Sequence, residues 1–145
     1  MDIKARIKEI LDKTHLMSLA TMDDGGIWVC DVIFIYDDDF NLYWRSKLHR
    51  RHSKALLENS QVAGTITHTT KANEHNLGIQ FSGNAKKIDG TRYDLAVKHA
   101  AKRNHLKPKE SDDVLQGDSW YMLTPDKIEL IDEENFSFEK KSLEL

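Results

Sequence analysis

Hydrophobic positions recur along this chain with two periods, and the shorter one dominates. Ile3, Ile7, Ile10 and Leu11 follow helical spacing, so residues 2–13 are predicted to form a helix. Residues 16–22 then read as a strand, closed by Asp23-Asp24-Gly25-Gly26. Asp and Gly tolerate the positive φ of tight turns, so that tetrad predicts a hairpin. Residues 27–36 form the next strand. It is rich in β-branched and aromatic residues on both faces, which predicts a strand that is largely buried or that lies between a core and a ligand. A turn at Asp37-Asp38-Asp39 leads to a third strand over 41–45, and residues 55–59 look helical. Two more strands are expected over 61–69 and 77–88. A helix is expected over 91–104, with Leu95, Ala96 and Ala100 on its inner face. Residues 107–118 read as a solvated loop. Residues 120–132 read as one or two strands bent at Pro125, because proline donates nothing to a sheet ladder.

About six or seven strands thus follow one another with few helices between them. Their short turns imply antiparallel pairing. A sheet of this size commonly closes into a barrel, which hides its edges. The expected fold is mostly β in the α+β sense: an antiparallel, six- to seven-stranded barrel with flanking helices, one domain over residues 1–145.

The main chemical signal is the run Trp44-Arg45-Ser46-Lys47-Leu48-His49-Arg50-Arg51-His52-Ser53-Lys54. It carries five Lys/Arg, two His and two Ser, with no acid among them. It leaves a strand and enters a helix. The unpaired first-turn N–H groups and the dipole of such a helix favour an anion. Arg adds forked donors and Lys adds point charge, so the run is a candidate phosphate site. Within it Arg51 and Ser53 are better placed than Arg50 or Lys54, since a helix cannot aim every side chain at one ligand.

Composition narrows the alternatives. With 39% hydrophobic and 31% charged residues the chain is ordinary for a soluble globular protein. Its net charge of −3 argues against nucleic acid as the main partner. The single cysteine, Cys30, excludes an internal disulfide and a thiolate metal cluster. No apolar run is long enough to span a bilayer and no signal peptide is visible, so the expected setting is the cytoplasm with no membrane partner. Walker, Rossmann and hydrolase-elbow motifs are absent.

The ordered series of elements resembles a known family. It runs Leu16-Met17-Ser18-Leu19-Ala20-Thr21, an Asp/Gly turn, a long apolar strand, Leu42-Tyr43-Trp44, and Arg51-His52-Ser53-Lys54-Ala55-Leu56. Gln61-Val62-Ala63-Gly64-Thr65-Ile66 and Gly78-Ile79-Gln80-Phe81-Ser82-Gly83-Asn84-Ala85 follow, then Trp120 with Leu123-Thr124-Pro125. This order is similar to the FMN-binding split-barrel family related to pyridoxamine 5'-phosphate oxidase, in its small uncharacterised branch. It covers roughly residues 14–132. The resemblance implies a split β-barrel, FMN as cofactor, and a homodimer with the cofactor at the subunit interface. It places the phosphate on Trp44, Arg45, Ser46, Lys47, Arg51, His52 and Ser53. The flavin would lie along the strands holding Thr21 and Asp31 to Ile33. Gln80, from the second subunit, and an aromatic near Trp120 complete the candidate set.

Two departures separate the chain from the true oxidases. Its second strand, Trp28-Val29-Cys30-Asp31-Val32-Ile33, lacks their basic residues, and its end, Phe136-Ser137-Phe138-Glu139-Lys140-Lys141, lacks their Arg and His. The implied function is therefore a flavoprotein oxidoreductase acting on a small-molecule substrate or reduced nicotinamide, with no catalytic residue named. A non-catalytic flavin store or redox sensor, a haem binder on the same fold, and a barrel that binds single-stranded nucleic acid are the competing classes.

The remaining chemical residues have plainer readings. His49 and His52 are three apart but lack a third metal ligand, so no metal is expected. His68, His75, His99 and His105 are expected to be exposed, and Cys30 to be a buried, unreactive thiol. Asp31 either faces water at the barrel mouth or pairs with a specific donor, because a buried unpaired carboxylate is costly.

Overall fold

A computed structural model describes residues 1–145. In chain order the elements are α1 (Ile3–Lys13), β1 (Leu16–Asp23), β2 (Gly26–Ile33), β3 (Ile35–Tyr36), β4 (Leu42–Ser46) and α2 (Arg51–Glu58). Then come β5 (Gln61–Thr67), β6 (Leu77–Ile88), α3 (Tyr93–Lys102), β7 (Ser119–Asp132), α4 (Glu133–Phe136) and β8 (Lys141–Leu143). Every strand pair is antiparallel, in the order β2-β1-β5-β6-β7-β4-β3, with β8 added to β7. The two ends of this path, β2 and β3, are one continuous segment broken only at Phe34. The sheet therefore curls round on itself, as the antiparallel barrel reading expected.

Alternation along the strands sorts side chains into two clusters. Met17 and Leu19 of β1, Leu42 and Trp44 of β4, and Tyr121 and Leu123 of β7 point into the main core, where α1 inserts Ile7, Ile10 and Leu11. Trp44 and Tyr121, directly opposed across the β4–β7 ladder, stack with ring centroids 5.7 Å apart. Tyr43 and Trp120 point the other way. With Ile35 they form a smaller cluster that holds Leu95 and Ala96 of α3 against the outside of the sheet.

Two close approaches shape the barrel. At Gly64, where β5 pairs with β1, a Cβ would lie 2.3 Å from the Ser18 carbonyl and 2.6 Å from the Phe81 ring. At the Ser82–Gly83 bulge, Ser82 pairs with Lys127 and Gly83 with Pro125, so Asp126 is the extra residue. Its carboxylate accepts a 2.6 Å hydrogen bond from the Ser82 hydroxyl. The bend expected at Pro125 is thus a bulge within a continuous strand.

Three sequence expectations need correction. The strand expected over 27–36 switches partners at Phe34, and its first half is not buried: Ile27, Trp28 and Val29 are 75%, 48% and 60% exposed. The reason is topological, since β2 has only β1 beside it. Helix α2 starts at Arg51 rather than near Ala55, so the end of the basic run is its first turn. Short α4 and β8, which sequence periodicity did not show, follow β7; β8 pairs with Ile128 to Leu130.

Gly64→Ala tests the β1–β5 approach. Because the obstruction is backbone as well as ring, the variant should lose about 1–3 kcal/mol of stability, read from urea unfolding midpoints.

Candidate functional site

A cleft of about 860 Å³ opens on the outer side of the sheet, where the β2 and β4 ends meet α3 and the connection from α3 to β7. Asp31, Val32 and Ile33 come from β2, Arg45 and Ser46 from β4, and His52 from α2. The opposite wall is Ala96, His99, Ala100 and Arg103 with His105, Asp112, Asp113, Val114 and Asp118. Its volume lies within the roughly 300–1,000 Å³ common for small-molecule sites.

The basic run divides its cations among internal partners. Arg45 Nε donates to Asp118 at 2.9 Å, and its two terminal nitrogens donate to the Val114 and Leu115 carbonyls, each at 2.6 Å. Lys47 donates to the other Asp118 oxygen at 2.9 Å. Burial works against the Asp118 charge, but Lys47 and Arg45 outweigh it and hold its carboxyl below the usual range. Arg45 and Lys47 therefore fasten the α3–β7 connection to β4. Arg51 turns away from the cleft. It donates to both Asp23 oxygens at 3.2 Å and lies over the Trp28 ring, 4.6 Å from its centroid. The Arg51 hydrogen bond holds the Asp23 carboxyl low.

At the cleft end next to α2, His52 Nε2 lies 2.8 Å from Ser46 Oγ, and both side chains line the space. Burial, and then Arg50, push the His52 imidazole below its ordinary value. Arg50, at the N-cap, makes no side-chain cap bond. Ser53 and Lys54 N–H donate to the Arg50 carbonyl, which leaves the Arg51 and His52 N–H groups as open donors. Ser53 itself is buried with a hydroxyl that meets no partner, as are the Thr21 hydroxyl and the Trp44 indole N–H. Such orphaned groups are uncommon, and of the three only Ser53 lies on the first turn of α2.

Trp44, Gln80 and Trp120 lie apart from the cleft lining. Trp44 is fully buried in the main core. Gln80, on β6, accepts a 2.8 Å hydrogen bond from Lys140 and is not part of the cleft lining. Trp120 is fully buried and donates its indole N–H to the Thr91 carbonyl at 2.9 Å. Asp31 is exposed and accepts a 2.7 Å bond from Ser18, which combines both of its expected fates. Cys30 is half-buried rather than buried, and burial followed by the Asp31 charge raises its thiol pKa. No cluster of three or more His, Cys, Asp or Glu is arranged to hold a metal ion.

Sequence reading missed the α3 wall. His99 was expected at the surface but is only 8% exposed, edge-on to Trp120 with centroids 5.7 Å apart. Burial first, then the Arg45 and Arg103 charges, lower its pKa to about 4. Its signal was present: Ala96, His99, Ala100 and Arg103 stand at i, i+3, i+4 and i+7, one face of a helix.

An antiparallel barrel split at one segment, with an outer cleft walled by a helix and a strapped connection, defines the split β-barrel class. Residues 3–132 match the family model described as pyridoxamine 5'-phosphate oxidase, and the chain belongs to that family. It is 29% identical over 91 residues to a UPF0306 protein of Photorhabdus laumondii, covering 62% of this chain and 64% of that protein. A UPF0306 protein of Klebsiella pneumoniae is 30% identical over 91 residues, 62% of each chain. The match therefore spans less than two thirds of either relative. Among solved structures, general stress protein 26 of Bacillus anthracis superposes with a TM-score of 0.74 over all of both chains at 19% identity. HutZ, the haem storage protein of Vibrio cholerae, superposes with a TM-score of 0.69 over 88% of this chain and 94% of its own at 18% identity. At these identities the likeness is one of fold.

Buried His99 sets a pH dependence. The unfolded chain takes up its proton near pH 6.5 while the folded chain resists until about 4. Stability is therefore full above pH 6.5 and falls as pH drops through that window. The total effect is on the order of 3 kcal/mol, of which about 1–2 kcal/mol is lost by pH 5. His52 acts in the same direction. His99→Gln should flatten most of the slope between pH 7.5 and 5, measured by urea unfolding. An unchanged slope would assign the acid loss elsewhere.

Proposed function

We propose that this chain is an FMN-binding oxidoreductase acting on a small molecule or a reduced nicotinamide, and that it works as a cytoplasmic homodimer with the cofactor at the subunit interface. The observation that carries this reading is the polar end of the cleft. There the Ser46–His52 pair lines the space, and the first turn of α2 keeps the Arg51 and His52 N–H groups free. A helix N-terminus of this kind suits a phosphate. The orphaned Ser53 hydroxyl on the same turn supports the fit, because a phosphate reached by a small shift would satisfy it. Val32, Ile33 and Ala96 supply apolar wall for a flat ring system. The exposed Ile27, Trp28 and Val29 of edge strand β2 accord with a second subunit covering that side.

When bound, FMN supplies the electron-transfer chemistry. The residues of this chain bind, orient and exclude water. Since Arg45, Lys47 and Arg51 already serve Asp118 and Asp23, phosphate grip rests more on N–H and hydroxyl donors than on net charge.

Ser46→Ala combined with His52→Ala should weaken FMN binding about tenfold or more, roughly 1.4 kcal/mol, in a flavin absorbance titration. Arg51→Ala should act mainly on stability, through its lost contacts to Asp23 and Trp28. Unchanged FMN affinity in the double variant removes the phosphate assignment. Flavin that binds but is never reduced by NADH or NADPH would instead favour a store or sensor.

Haem is a second reading with its own support. Three imidazoles, His52, His99 and His105, border one cleft, and the superposed HutZ is described as a haem storage protein. A Soret band on reconstitution that is lost in one histidine variant is the expected sign of that reading.

A further inference from the structure

His99 is a largely buried residue whose side chain makes no hydrogen bond to the rest of the chain. The residue is 8% exposed, and its ring nitrogens are not among the sealed orphan atoms, so they keep access to the cleft. One face packs edge-on to Trp120, and the side chain lines the cleft. A largely buried imidazole whose only opening is to the cleft can meet a hydrogen-bond partner only there, from water or from a ligand. His99 does not belong to the phosphate end, which is built from Ser46 and His52 on other elements.

Charge distinguishes the two ends of the cleft. Its lining holds four carboxylates, Asp31, Asp112, Asp113 and Asp118, against two guanidinium groups, Arg45 and Arg103. Arg45 is consumed by Asp118. That leaves Arg103 beside Asp112 and Asp113 on its own wall, with Asp31 on the β2 wall, and none of the three carboxylates has a cationic partner. Asp31 takes a hydroxyl, while Asp112 and Asp113 take only the backbone N–H groups of Lys109 and Gln116. An anion placed here meets net like charge.

We infer that the α3 side of the cleft is a subsite for a neutral or cationic planar group with N–H donors, of the amide or amidine kind, which His99 positions by accepting a hydrogen bond. This names the substrate class for the site proposed above and rests on that reading for its catalytic meaning. As a binding site it stands without it. An imidazole in its neutral form has one acceptor nitrogen for such a head group, and Val32, Ile33 and Ala100 provide apolar surface for its ring. His99 is a positioning residue, and no proton transfer is assigned to it.

The test uses three probes with one ring and three charges: benzamide, benzamidinium and benzoate. Each is titrated into the full chain, with and without FMN, while the ¹⁵N resonances of the His99 imidazole are followed. Benzamide and benzamidinium should shift those resonances, and benzoate should bind at least tenfold more weakly. His99→Phe should weaken the two binders about tenfold, with partial recovery in His99→Gln, whose amide retains an acceptor. Asp112→Asn with Asp113→Asn, on the exposed connection, should narrow the gap between benzamidinium and benzoate and leave the buried packing intact. Equal or stronger benzoate binding, an unmoved His99 signal, or full affinity in His99→Phe would each overturn the subsite. Retained FMN with no probe binding defeats this inference alone, whereas probe binding in a chain that takes up no FMN defeats the flavin reading alone.

Discussion

The structure depends on one segment serving two edges. Residues 26–33 pair with β1, and two residues later the same backbone pairs with β4. Phe34 stands at the switch, fully buried in the main core, with its N–H donating to the His15 carbonyl. Because that side chain is sunk in the core, the chain leaves β1 at a fixed point and direction. The barrel closes through a covalent bend instead of a hydrogen-bonded ladder, and the seam beside the bend is left without a strand. That seam is where the cleft lies. A fully laddered barrel would have filled the space between the β2 and β4 ends, so the incomplete closure and the site share one cause.

The seam is then built up from outside. Tyr43, Trp120 and Ile35 give α3 an apolar platform opposite the main core. Arg45 extends that wall with its bonds to Asp118 and to two carbonyls of the α3–β7 connection. A half-buried guanidinium with three such acceptors is strongly ordered, since charge-assisted bonds are the stronger kind. On the far side, Lys102 of α3 donates to the Leu11 and Thr14 carbonyls at the end of α1. Helix α3 is therefore fixed to the sheet by packing and to α1 by a cation. The wall that carries His99 is part of the scaffold.

How much of this was legible in the sequence follows from the range of each interaction. Strand periodicity, the Asp/Gly turn and the two long helices are local, so α1, β1, β4, β6 and α3 were placed within a few residues. Exposure of β2 was not legible. Val29 and Ile27 look like core residues until one knows that β2 ends the sheet, and strand order is set by non-local pairing. His99 was misplaced for a similar reason. Its helical face was readable, but the Trp120 ring that buries it arrives from a strand some twenty residues later. The basic run shows the same limit from the other side. Its residues were visible, but the acids that consume them, Asp23 and Asp118, lie 28 and 71–73 positions away.

That last point changes what the basic run means. Read alone, five cations near a helix start describe a phosphate clamp built on charge. In the fold, three of them are structural: Arg51 ties the β1–β2 turn to α2, while Arg45 and Lys47 tie the α3–β7 connection to β4. The cations thereby place the walls, and smaller groups are left to face the space between them. Free N–H donors, a Ser–His pair and one imidazole open only to the cleft select by geometry more than by field. On the proposed reading, anion recognition falls to the first turn of α2, while the carboxylates of the opposite wall disfavour anions. The cleft is thus polar in two opposed senses along its length, which suits a ligand pair that is anionic at one end and neutral or cationic at the other.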